Sequence, residues 1–144
     1  EEIELISGIH GLEVIFREQV DLLKRGEICY VIGGTWGTGE TQESIIQAFF
    51  EKIHLMRERK GIVTKMLFNS NQKSSTDKLY ASEKFPSTSI KYFDHASPVA
   101  INVYNNRTII IIFGKKITSI YIRSKDVANS FKQYFELLWK IAKR

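Results

Sequence analysis

Residues 34 to 41 read GTWGTGET, which has the spacing G-x-x-x-x-G-E-T. The phosphate-binding P-loop is G-x-x-x-x-G-K-[ST], and its backbone N–H groups and one lysine surround the phosphates. The flanks suit such a loop, with the apolar run ICYVI before it and the helix-like QESIIQAFFEKIHLMRERKG after it. The chemistry does not, because Glu40 stands at the lysine position. A carboxylate held against a phosphate in a partly desolvated site costs on the order of several kcal/mol. A partner aspartate for magnesium is not evident either: Asp94 closes SIKYFD, a half-polar stretch next to HASP. The glycines are therefore expected to turn the chain sharply out of a buried strand, with Trp36 over the sheet edge. Such a loop sits beside a ligand pocket, since sites in α/β sheets gather at the carboxyl ends of strands.

The other reactive side chains form no constellation. His10, His54 and His95 are far apart and have no metal-ligand spacing; His54 reads as a packed or edge histidine and His95 as part of a turn. Cys29 is the only cysteine, which excludes an internal disulfide or a cysteine-based zinc site. It lies in an apolar strand, where a buried thiol is inert. The carboxylates show no paired pattern of the glycosidase kind. No metal, no cofactor and no catalytic residue is expected.

The elements that position these residues follow from periodicity. IELIS is a short strand, and Gly8 and Gly11 are expected to bracket a turn. Leu12, Ile15, Phe16, Gln19, Val20 and Leu23 then follow helical spacing up to Gly26. ICYVIG has the length and β-branching of a buried central strand. After the glycine loop, Ile45, Ile46, Phe49, Phe50, Ile53 and Met56 form a helical stripe, with Arg57, Arg59 and Lys60 in the last turn and Gly61 closing it. IVTKMLFN is a strand, SNQKSSTDK a polar loop, and a short helix is expected near Thr76 to Lys84. Pro86 breaks the chain before the strand SIKYFD. VAINVY, RTIIIIFG and ITSIYIR then form three strands joined by tight turns, the first at Asn105-Asn106, because Asn tolerates positive φ. Ser124 caps a last helix with Val127, Ala128, Phe131, Phe135, Leu138 and Ala142 on its apolar stripe. The order is β-α-β-α-β-α-β, a β-meander and a long C-terminal helix: an α/β sandwich with a mixed sheet.

The 144 residues suit one domain, 1–144, without repeats or linkers. No apolar run reaches the roughly 18 residues of a membrane span. The acidic start EEIELISG is not a signal peptide, so a reducing, cytoplasmic location is expected. The first residue is Glu and the chain opens inside a strand, so an upstream segment is expected to be missing. The formal charge is +5, and from Lys115 onward eight basic residues face two acidic ones. That excess suits either a nucleic-acid footprint or a solvated helix face with lysines at its C-terminal end.

The segment PVAINVYNNRTIIIIFG resembles the strand–turn–strand of the phospholipase D superfamily, which bears H-x-K-x-x-x-x-D. In register, Pro98 falls at the histidine, Ala100 at the lysine and Asn105 at the aspartate. The wider chain is similar to the C-terminal phospholipase D-like regulatory domain of archaeal TrmB-family transcriptional regulators. That similarity rests on SGIHGLEVIF, FFEKIHLMRERKGIVTKMLFN, SPVAINVYNNRTIIIIFG and SKDVANSFKQYFELLWKIAK. It implies a phospholipase D-like fold without its catalytic set and an upstream winged helix-turn-helix that binds DNA. The role implied is effector sensing, dimerisation or both. The alternatives are a phospholipase D-type phosphodiesterase or nuclease, and a protein-interaction domain without a ligand. Trp36, Tyr134 and Trp139 are interface candidates for a homodimer. A small polar ligand pocket is expected where Pro98, Ala100 and Asn102 share a strand face, with Thr35 and Trp36 from the glycine loop and Asn69 and Ser97 from neighbouring segments.

Overall fold

The computed structural model describes residues 1–34, 40–80, 83–94 and 97–144. In chain order the elements are β1 (Glu2–Ser7), α1 (Gly8–Leu22), β2 (Ile28–Ile32), α2 (Glu40–Lys60), β3 (Val63–Asn69) and a 3-10 turn (Ser70–Gln72). They continue with α3 (Lys73–Leu79), β4 (Thr88–Phe93), β5 (Val99–Tyr104), β6 (Arg107–Phe113), β7 (Ile117–Arg123) and α4 (Lys125–Ile141). The strands make one seven-stranded sheet in the order β1-β7-β6-β5-β2-β3-β4. β2, β3 and β4 are parallel, whereas β5 runs antiparallel to β2 and the meander continues antiparallel out to β1. The fold is the α/β sandwich with a mixed sheet expected from the sequence.

Two apolar layers hold it together. On one face, Leu12, Ile15 and Phe16 of α1 and Ile46 and Ile53 of α2 pack with Val31, Met66, Ile109, Ile111 and Tyr121 of the sheet. Phe16 meets Phe49 and Phe50 edge-on, with centroids 5.9 and 5.5 Å away. Such pairs contribute about 1 kcal/mol each beyond area burial. On the other face, Ala128 and Phe135 of α4 lie over Ile32, Leu67, Ile101 and Val103. Ser124 caps α4, its Oγ accepting the Val127 N–H, and Asn105 takes φ 49 in the β5–β6 turn.

Two local expectations need correction. Gly8 and Gly11 do not bracket a turn but belong to α1; a Cβ on Gly11 would lie 2.2 Å from Cγ2 of Ile6, so the glycine lets the helix fold back on β1. The third helix occupies Lys73–Leu79 rather than the region of Thr76 to Lys84. Its start is drawn toward β3 because the Asn69 N–H donates to Oε1 of Gln72 at 3.2 Å, which sets the first turn immediately after the strand.

Candidate functional site

A cavity of about 130 Å³ opens between the sheet and the helices α2 and α3. Its position follows from the topology. β5 starts beside the carboxyl end of β2, with Ile101 opposite Ile32, so the glycine loop and the beginning of β5 meet at the end of the parallel strands. Gly33 and Gly34 both line the cavity. A Cβ on Gly34 would lie 2.9 Å from both Ala100 N and Val99 C, so this glycine lets the chain pass directly against the backbone of β5.

The floor of the cavity is polar and fully desolvated. Asn102 is 2 % exposed and Arg57 is 2 % exposed. Nη2 of Arg57 donates to Oδ1 of Asn102 at 3.1 Å, and Nε donates to Oε1 of Gln19 at 2.9 Å. The Gln19 amide closes the triangle, its Nε2 lying 3.4 Å from the same Asn102 oxygen, and the Cys29 thiol donates to it at 3.7 Å. A guanidinium can only donate, which fixes the orientation of both amides: each presents its oxygen to Arg57. Four elements supply this knot, namely Gln19 from α1, Cys29 from β2, Arg57 from α2 and Asn102 from β5.

The walls are apolar and aromatic, including Phe50, Met66, Phe68, Tyr80 and Phe113, while Gln47, Gln72 and Ser75 add polar groups. Phe16 lies under the guanidinium, with its ring centroid 5.8 Å from Cζ. Among the described residues no carboxylate is ion-paired with Arg57. Its charge is felt nearby. Burial lowers the His54 imidazole to about 3, and Arg57 adds to that shift. Burial pushes the Cys29 thiol up and the Tyr80 phenol up to about 12, each opposed by Arg57.

The candidates read from the sequence fall in different places. Ala100 and Asn102 both line the cavity. Pro98 is exposed just before β5 begins. Asn105 sits at the other end of β5, beside Asn106 and Arg107 in a shallow groove. Asn69 does not line the cavity; its backbone holds Gln72, which does. Ser97 binds the start of β5, donating to the Val99 carbonyl at 2.6 Å and accepting the Val99 N–H. Thr35, Trp36 and His95 lie outside the described residues. Gln19 and Arg57 were not among the candidates, although both occupy positions on apolar helical stripes. Among the described residues no group of His, Cys, Asp and Glu is placed to hold a metal ion, and no helix is long and apolar enough to cross a membrane.

No family model matches the sequence, and no curated protein matches it. Solved structures do. TrmBL2, an archaeal chromatin protein whose structure shows a novel mode of DNA binding, superposes with a TM-score of 0.63 at 16% identity, over 99% of this chain and 55% of that one. The chain thus spans about half the length of TrmBL2. Nuc from Salmonella typhimurium, a phospholipase D family member, gives 0.68 at 10% identity, over 99% of this chain and 97% of that one. NucT from Helicobacter pylori gives 0.64 at 12% identity, over 99% and 98%. At these identities the likeness is one of fold, and the chain has the phospholipase D-like α/β fold.

Proposed function

We propose that the chain is a catalytically inactive phospholipase D-like domain that senses a small effector, and dimerises, within a DNA-binding transcriptional regulator of the TrmB kind. The observation that carries this reading lies at the start of β5. Where the superfamily motif has its histidine and lysine, this chain has Pro98 and Ala100. Phosphodiester cleavage in that superfamily needs a nucleophile and a cation for the developing charge, and neither proline nor alanine supplies one. Ala100 instead leaves open space that joins Asn102 in the cavity. A few convergent polar groups in an apolar, aromatic wall make up a small-molecule site. DNA contact is assigned to a winged helix-turn-helix upstream of these residues, and the likeness to TrmBL2 supports that setting.

The rival reading, a phosphodiesterase or nuclease, is favoured by the near-complete overlap with Nuc and NucT. One assay separates them. Incubation with bis-p-nitrophenyl phosphate and with single-stranded DNA is expected to give background turnover. Contaminant-free activity lost on substituting Asn105 would overturn the proposal. A third reading, a protein-interaction domain without a ligand, is favoured by the exposed Ile3 and Leu5; it predicts that no small molecule stabilises the domain.

A further inference from the structure

We infer that the cavity takes a small organic monoanion, a carboxylate on a compact apolar or aromatic body, with Arg57 as its anchor. This rests on the reading of the cavity as an effector site and gives that effector a chemical class.

The argument starts from an unbalanced charge. Arginine stays protonated in proteins, and charged side chains are almost never fully buried unless paired. Arg57 is buried, yet among the described residues its hydrogen-bond partners are two neutral amide oxygens, those of Gln19 and Asn102. The Phe16 ring and the C-terminal end of α2 favour a cation there, but neither supplies a full negative charge. Among the described residues, the titratable groups that feel the Arg57 charge supply none either. His54, Cys29 and Tyr80 are all held in their neutral forms at pH 7 by burial. The two oxygens occupy Nε and one position on Nη2, and the guanidinium has further N–H donors while itself lining the cavity. A forked donor of this kind matches a carboxylate.

The rest of the site sets the remainder of the ligand. Among the described lining residues Arg57 is the only cation. A dianion such as phosphate would bring a second, unmatched charge into a buried place, which is strongly unfavourable. A single carboxylate balances it. The cavity volume of about 130 Å³ is close to that of a dry cavity of about 150 Å³ that admits benzene. Phe50, Met66, Phe68, Leu79, Tyr80 and Phe113 surround the space beyond the guanidinium, which calls for an apolar body of ring size rather than a sugar.

The test is a titration of the 144-residue chain, followed by calorimetry and amide chemical shifts. The probes are benzoate, phenylacetate and isovalerate, the neutral isosteres benzamide and benzyl alcohol, and inorganic phosphate. Carboxylates binding at least tenfold more tightly than their neutral isosteres and than phosphate supports the inference. Neutral isosteres binding as well as the acids would overturn the anion assignment while leaving the effector cavity in place, and so would preference for phosphate. Absence of binding by every probe would overturn both. Arg57→Met is expected to abolish carboxylate binding. Because that variant also removes a buried network on which folding can depend, Asn102→Asp provides the second arm. It retains the shape of residue 102 and places a built-in carboxylate against Arg57, so it is expected to fold and to lose carboxylate affinity at least tenfold. Unchanged affinity in a folded Asn102→Asp protein overturns Arg57 as the anchor.

Discussion

Arg57 of α2 and Asn102 of β5 meet 3.1 Å apart under the cavity, guanidinium Nη2 to amide Oδ1, with both residues almost wholly excluded from water. The pair ties the second helix to the central strand of the sheet, and the same oxygen receives Gln19 and Cys29. Replacing Asn102 by leucine, similar in volume, strips Arg57 of an acceptor and leaves the Gln19 amide short of one. The expected loss is about 3 kcal/mol in urea unfolding. Asn102→Asp is expected to be at least as stable as the parent at pH 7, because it supplies the missing charge. If the leucine variant matched the parent, the network would be incidental to the fold.

The glycine loop gives a second prediction. Gly34 is required by the approach of the chain to β5, where a Cβ would be 2.9 Å from two backbone atoms. Backbone gives way less readily than a side-chain tip, so Gly34→Ala is expected to destabilise by about 2 kcal/mol. The P-loop spacing has no nucleotide counterpart on this account. Calorimetry with ATP and magnesium is expected to show no binding at micromolar concentration, and Glu40→Lys, which restores the motif lysine, is expected not to create it. Tight binding by either protein would reassign the loop.

How far such a site can be read in advance depends on which force places each residue. The strands and helices follow from apolar periodicity, and Asn102 stands out on a buried strand because its neighbours are apolar. Gln19 occupies a core-facing slot of α1, a visible irregularity. Arg57 hides behind a general rule: basic residues in a last helical turn usually face water and suit the dipole. Its buried position shows only in its spacing, four residues after Ile53 and on the same stripe. Asn69 and Ser97 could not be placed from sequence, because both sit where strands give way to turns. There local hydrogen bonds to Gln72 and Val99 decide the geometry. Trp139 illustrates tertiary override: it stacks on Phe135, and the ammonium groups of Lys65 and Lys91 lie over its ring, so its aromatic surface is engaged within the chain.

His54 makes the fold sensitive to acid. It is buried, its Nε2 is 2.8 Å from Oγ1 of Thr88, and its folded value is about 3 against an ordinary 6.5. Between those values the unfolded chain takes up a proton that the folded one refuses. Stability contributed by neutral His54 is therefore complete above pH 6.5, falls as pH drops below it by up to about 1.4 kcal/mol per pH unit, and levels off near pH 3. Urea midpoints of the parent and of His54→Gln, compared at pH 7, 6, 5 and 4, check this. The carboxylates contribute equally to both proteins, so the parent is expected to lose more. Parallel curves would mean that His54 takes up protons in the folded state as readily as in the unfolded one.

Self-association is expected to use the open side of the meander. Ile3 and Leu5 of β1 are each 74 % exposed and stand opposite Ile122 and Ile120 of β7. Side chains opposite one another in register share a face, so these four form one apolar surface on the edge of the sheet. Ile112 of β6, 39 % exposed, lies on the same face. The apolar layer under α4 draws on β2, β3, β4, β5 and β6 but takes nothing from β1 or β7, so among the described residues Ile3 and Leu5 are left uncovered. The partner proposed for it is a second copy of the chain: under the proposed regulatory role, two half-sites of a symmetric operator would need two reading heads. A homodimer is expected in sedimentation at high micromolar concentration. Leu5→Lys puts a charge in the middle of the surface without touching either core, and is expected to give a folded monomer with an unchanged unfolding midpoint at low concentration. A parent protein that sediments only as a monomer would remove the dimer from the proposal. A Leu5→Lys protein that remains dimeric would move the interface elsewhere, to the half-exposed Tyr134 side of α4.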